Sequence, residues 1–161
     1  MPATAPAALA SEQGPPSTLP STLMTLADIE ARLDGIIARP GDPEANAEEL
    51  LQLGERVLER WLEARGEAPG MKEKEGFRLL ALHKQGSRGD PSFNACRETC
   101  RELVYHYNLI RLAPAHPDRE KRVKLATMVT KHLALFVSGK MQVAGLGEFC
   151  CAAKPLRAGG K

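Results

Sequence analysis

The sequence predicts an all-α protein: a bundle of four to five helices with mostly antiparallel neighbours, set between a disordered N-terminal tail and an irregular Gly-rich C-terminal segment. Three observations carry that reading. Apolar residues recur at spacings of three and four through most of the chain, the period of an amphipathic helix. Asp-Pro and Pro-Gly pairs punctuate those runs where helices would start and stop. No stretch alternates apolar and polar residues with period two, so no sheet is expected. At 161 residues, 43% hydrophobic and 26% charged, the chain has the length and balance of one packed domain.

Residues 1–22 are rich in Ala, Pro, Ser and Thr and nearly uncharged. They are read as a disordered tail, because nothing in them offsets the entropy of ordering. The bundle is expected over residues 23–139. Its first helix starts at Thr25, with Asp28 placed three residues on as in a capping box. Leu26, Ile29, Leu33, Ile36 and Ile37 share a face, and Pro40-Gly41 ends the helix. Asp42-Pro43 starts the second, an N-cap acceptor followed by Pro at the first helical position. Its seam holds Ala47, Leu50, Leu51, Val57, Leu58, Trp61 and Leu62, with Gly54 on the same line. Gly66 and Pro69-Gly70 stop it.

A shorter helix is expected over residues 71–85, with Phe77, Leu80, Leu79 and His83 inward. Asp90-Pro91 is expected to open the fourth helix as Asp42-Pro43 opens the second. Its seam is Phe93, Cys96, Cys100, Leu103, Val104, Tyr107 and Ile110, and Pro114 ends it. His116-Pro117-Asp118 opens the fifth. Val123, Ala126, Val129, Leu133, Phe136 and Val137 form its main stripe. Leu125, Met128 and Leu135 widen that stripe, which predicts the most buried helix of the bundle. Gly139 is read as its C′ residue. Residues 140–161 are then an irregular segment that packs on the bundle.

The stretches "DPEANAEEL" at Asp42 and "DPSFNACRE" at Asp90 share Asp-Pro and then Asn-Ala at the same offsets. The longer run "DPEANAEELLQLGERVL" resembles the first helix of a tetratricopeptide repeat, a family of partner-binding helical arrays. That family repeats every 34 residues or so and needs about three copies for stability. The spacing from Asp42 to Asp90 departs from that period, so shared capping chemistry explains the echo and no membership follows.

Four cysteines supply the candidate chemistry. Cys96 and Cys100 stand at i and i+4, on one helical face. With Cys150 and Cys151 they offer thiolates for zinc or an iron–sulfur cluster, and His106 is a possible extra ligand. Alternatively, both simply pack, since they lie in line with Phe93, Leu103 and Ile110. Arg97 and Arg101 flank them and would acidify an exposed thiol. A Cys–His dyad of Cys100 with His83 or His132 is open. His83 and His132 are themselves read as packed on apolar faces, and His116 as a cap. No C-x-x-C, H-E-x-x-H, phosphate-binding glycine loop or nucleophile elbow occurs.

Charge is unevenly placed. Residues 1–70 hold 5 Lys+Arg against 12 Asp+Glu, a net −7, and residues 71–161 hold 17 against 8, a net +9. Two complementary halves of one bundle explain this, as does a basic face for an acidic partner. Arg119, Lys121, Arg122 and Lys124 are the densest basic cluster and the candidate face. The N-terminus lacks a basic leader region, and no apolar run is long enough to span a bilayer, so a cytoplasmic protein with reduced thiols is expected. The leading functional expectation is a non-enzymatic accessory or regulatory module that binds a protein partner, without a cofactor. A homo-oligomer is compatible with it. The alternative is a cysteine-based metal or thiol-redox protein, and the third is a nucleic-acid-associated factor using the same basic cluster.

Overall fold

A computed structural model describes residues 24–146 of the chain. The expected tail over residues 1–22, and Cys150 and Cys151, lie outside those residues. The described chain is all helical, apart from connections and one isolated backbone bridge. Five α-helices follow one another: α1 Leu26–Ala38, α2 Pro43–Ala64, α3 Arg78–Arg88, α4 Arg97–Leu112 and α5 Arg119–Ala144. A 3-10 helix, Pro91–Cys96, leads into α4. None of them is long and apolar enough to cross a membrane.

The first two helix starts follow the chemistry of their sequences. At α1 the Asp28 amide donates to Thr25 Oγ1 at 3.1 Å and the Thr25 amide donates to Asp28 Oδ2 at 2.9 Å, a reciprocal capping box. At α2 the Ala45 amide donates to Asp42 Oδ2 at 3.0 Å, with Pro43 in the first turn. Asn46 adds a bond back to the Gly41 amide at 2.8 Å.

The third start departs from expectation. Residues 71–77 are not helical, and α3 begins at Arg78. Glu75 and Gly76 both take positive φ, +55° and +85°. Lys74 and Phe77 exchange backbone hydrogen bonds of 3.0 Å across them. This is a tight primed-type turn, for which a Glu-Gly pair suits the second position better than the first. The turn sets Phe77 edge-on to Tyr107 of α4, ring centroids 5.6 Å apart.

The fourth start departs as well. Asp90-Pro91 opens a 3-10 turn rather than an α-helix, with Asp90 accepting from the Ser92 amide at 3.1 Å. In a 3-10 helix residues i and i+3 stack on one side. That geometry sends both Phe93 and Cys96 into the core. Lys140 of α5 holds the turn from outside, 2.6 Å from both Asp90 Oδ2 and Ser92 Oγ. The two Asp-Pro stretches are thus a shared start chemistry and not a repeated structure.

The last helix outruns its expected end. Gly139 is internal to α5, and Val137 and Met141 on either side of it are buried. Gly145, at φ +72°, is the left-handed cap. Leu146 donates to the Met141 carbonyl at 2.8 Å and Gly145 to that of Gln142 at 3.1 Å, a Schellman pair. Residues 140–144, expected in the irregular C-terminal segment, are therefore helical; residues 147–161 lie outside the described residues.

Partner residues give the helix directions. Met24 meets Arg60 and Arg32 meets Glu49, so α1 runs antiparallel to α2. Tyr107 meets Glu48 while Leu103 faces Gly54, so α4 also opposes α2. Phe93 meets Phe136 and Ile110 meets Arg119, so α4 and its leading turn oppose α5. Two pairs run parallel: α2 and α5, where Glu44 meets Arg119 and Trp61 meets Lys140, and α2 and α3, where Gly54 faces Leu79 and Trp61 faces Gly86. The long connection 65–77 makes the second possible by carrying the chain back before α3 starts.

The core is one cluster to which every helix contributes. Its tightest point is Gly54. A Cβ there would lie 2.8 Å from Leu103, 3.2 Å from Leu79 and 3.9 Å from Leu133, side chains of three different helices. Only a glycine lets α2 come this close. At the other end Trp61 stacks on Phe93 at 5.1 Å and 7°, and Phe93 touches His83 and Phe136.

Candidate functional site

The cysteine pair lies inside the core. Cys96 is 1% exposed and Cys100 not at all. The partner that approaches Cys96 is His83, brought there by the 3-10 turn. His83 Nε2 is 3.2 Å from the Phe93 carbonyl, and Cys96 Sγ donates to the same oxygen at 3.3 Å. The Cys96 thiol is pulled down to about 6, first by a hydrogen bond from Cys100 and then by His83, against the burial that raises it. Cys100 is pushed well up by its bond to Cys96 and by burial. The Phe93 carbonyl works against ionisation of Cys96, because only a protonated sulfur donates to it. Arg97 and Arg101, expected to acidify an exposed thiol, face away and pair with Glu98 at 3.0 Å and Glu75 at 2.9 Å.

The other histidines divide. His132, read as packed, is exposed on α5, so it stands apart from the buried pair. His116 caps the next turn, accepting from the Asp118 amide at 3.0 Å. His106 is buried on α4 and meets Tyr105, Glu102 and Arg122. Its Nε2 is 3.7 Å from Glu102 Oε2, and Nδ1 has no hydrogen-bond partner among the described residues. Burial lowers its pKa; Arg122 acts in the same direction and Glu102 opposes. Among the described residues no three His, Cys, Asp or Glu side chains stand together as a metal site would need.

The basic cluster at the start of α5 separates into two roles. Arg119 is structural: its Nε donates to the Ile110 carbonyl at 3.1 Å, satisfying the end of α4, and it reaches Glu44 at 3.9 Å. Lys121, Arg122 and Lys124 form no salt bridge with any described residue. Lys121 and Lys124 are exposed, and Arg122 is half-buried near His106.

These cations adjoin a feature that the expected burial of α5 concealed. Leu125, Met128 and Leu135 do not widen the buried stripe. They are 40%, 53% and 52% exposed. The buried residues of α5 are Val123, Ala126, Thr127, Thr130, Leu133, Ala134, Val137 and Met141. Positions 125, 128, 132 and 135 are spaced three, four and three, which puts them on a second face opposite the first. Gly139 continues that face, with open space where a side chain would project. Lys131, at its edge, pairs with Asp34 of α1 at 2.5 Å. The result is an exposed apolar stripe with unpaired cations at its N-terminal end and the uncharged Gln142 and Val143 at the other.

Compared with protein-family models, with curated proteins and with solved structures, the chain matches none.

Proposed function

We propose that this chain is a non-enzymatic accessory or regulatory module that binds a protein partner on the outer face of α5. The observation that carries the reading is the exposure of Leu125, Met128 and Leu135 on one line of a helix whose opposite face is core. A helix that is apolar on both faces is ordinarily covered on both. Single exposed leucines need no explanation, but aligned ones bordered by charge mark an interaction surface. The buried Cys96 and Cys100 then serve the core that holds α5 in place.

The test places a photo-crosslinking residue at Met128 or Leu135, with a third at exposed Glu98 on α4 as control. Crosslinked proteins are identified, purified and titrated against the M128E/L135E variant. The reading expects one protein captured from Met128 and Leu135 but not from Glu98, with its binding weakened at least about tenfold by the two glutamates. Identical captures from all three positions, or binding indifferent to M128E/L135E, would sink it.

A further inference from the structure

We infer that the segment docking on α5 is an amphipathic helix with an acidic flank. It lies along Leu125, Met128 and Leu135 and sets its carboxylates beside Lys121, Arg122 and Lys124. This rests on the reading of α5 as a docking face and adds the chemistry of the occupant.

Three properties of the face select that occupant. The first is its period. Leu125 and Leu135 are ten residues apart on a continuous helix, a span of about 15 Å at 1.5 Å per residue. The apolar knobs Leu125, Met128 and Leu135, with His132 between the last two on the same line, have the spacing that the ridges of another helix match. The second is the absence of free backbone. An α-helix interior has no unpaired N–H or C=O to extend a sheet, so strand addition has no template here. Gly139, with nothing where its Cβ would project, allows a partner helix close approach at the far end of the stripe.

The third is charge. Lys131 is already neutralised by Asp34, and Arg119 is engaged with Glu44 and the end of α4. Among the described cations of α5, those without a salt bridge are therefore Lys121, Arg122 and Lys124, at one end of the stripe. A second copy of this chain does not answer them. In antiparallel alignment it brings the uncharged Gln142 and Val143 to that end. In parallel alignment it brings the same three cations again, against two carboxylates per chain, Asp118 and Glu120. Carboxylates on a partner helix answer them directly, and they steer its encounter.

The experiment uses the full chain and two labelled peptides of about 21 residues, three heptads each. Both carry leucine at the seam positions. One has glutamate on its flanks and the other has lysine at the same positions. Binding is read by fluorescence anisotropy at low and high salt. The acidic peptide is expected to bind at least about tenfold more tightly than the basic one, an advantage that shrinks with salt. K121E/K124E should reverse the preference. K72E/K84E, on a separate groove between residues 70–74 and α3, should leave it. M128E/L135E should abolish binding of both peptides, with the melting temperature unchanged. Loss of both to M128E/L135E without any charge preference would overturn the acidic occupant and leave the docking face standing. Indifference to M128E/L135E would overturn both. Two further results would overturn it: a dimer in sedimentation that Met128→Glu dissolves and that excludes the peptide, or duplex RNA binding lost in K121E/K124E but intact in M128E/L135E.

Discussion

At the scale of single residues, the cysteines and His106 show how burial decides chemistry. Cys96 has an acidic tendency, yet its partners among the described residues, Phe93, Cys100 and His83, all lie in the core. A buried thiol reacts only when the surrounding structure opens. In native protein, Cys96 and Cys100 should therefore be alkylated at least about a hundredfold more slowly than in urea, by peptide-mapped labelling. Equal rates would refute the packing described for them. His106 makes a pH prediction. Its folded pKa is lowered, so the unfolded chain takes the proton first, at about 6.5. Its contribution is therefore complete above 6.5 and is lost as pH falls through that value toward the folded pKa. His106→Leu should gain on the parent as pH is lowered from 7 to 5 in urea titrations, and parallel curves would contradict this. The packing seam through Cys96 and Cys100 was legible from spacing. The approach of His83 to Cys96 was not, because it depends on a 3-10 turn that reads like an α-helix start.

At the scale of elements, the starts at Thr25 and at Asp42-Pro43 were legible, and so was the seam of α2 down to Gly54, whereas Asp90-Pro91, read in the same way, opens a 3-10 turn. What misled was apolar content without regard to angle. Leu125, Met128 and Leu135 add to the hydrophobicity of α5 but point away from Leu133. The start of α3 was hidden for a different reason: Glu75-Gly76 carries a turn signal inside an otherwise helix-forming stretch. These distinctions have separate energetic consequences. Leu133→Ala should cost about 2–5 kcal/mol, a buried leucine leaving a cavity. Leu135→Ala, two residues on, should change stability by no more than about 0.5 kcal/mol. Gly86→Ala sets the opposite fault, since its Cβ would stand 2.9 Å from Phe93 Cε2 and 3.2 Å from Trp61 Cδ1. Overpacking there should cost about 1–3 kcal/mol despite the better helix propensity of alanine. Chemical denaturation of the three variants checks the ordering, and a loss at Leu135 as large as at Leu133 would mean that the two faces of α5 are wrongly assigned.

At the scale of the whole molecule, the uneven charge serves as expected to join two complementary halves of one bundle. Acidic residues of the first half meet basic residues of the second across the bundle: Asp34 with Lys131, Glu44 with Arg119, Glu48 with Arg111, and Glu55 and Glu59 with Arg78. Most of these pairs are exposed and each adds little. The Arg78 cluster differs because its members are largely covered. Arg78 reaches Glu59 at 2.5 Å, Glu55 at 3.5 Å and the Gly70 carbonyl at 2.8 Å. It ties α2 to the parallel α3 and closes the connection between them. Burial raises the Glu55 pKa, and Arg78 works against that rise. Replacing Arg78 with Met leaves two carboxylates side by side with only Arg56 near them, 3.6 Å from Glu59. The loss should be about 2–3 kcal/mol at pH 7, the scale of stranded charged hydrogen bonds. Its pH dependence is the sharper test. A carboxyl with a raised folded pKa holds its proton in the fold, so its stability contribution is present at low pH and lost as pH rises through that value. Removing Arg78 raises the Glu55 pKa further. The R78M deficit should therefore shrink between pH 7 and pH 5, and E55Q/R78M should recover part of it at pH 7. A deficit that is flat with pH, and unrelieved by E55Q, would mean that Arg78 holds α2 to α3 by packing of its stem rather than by its charge.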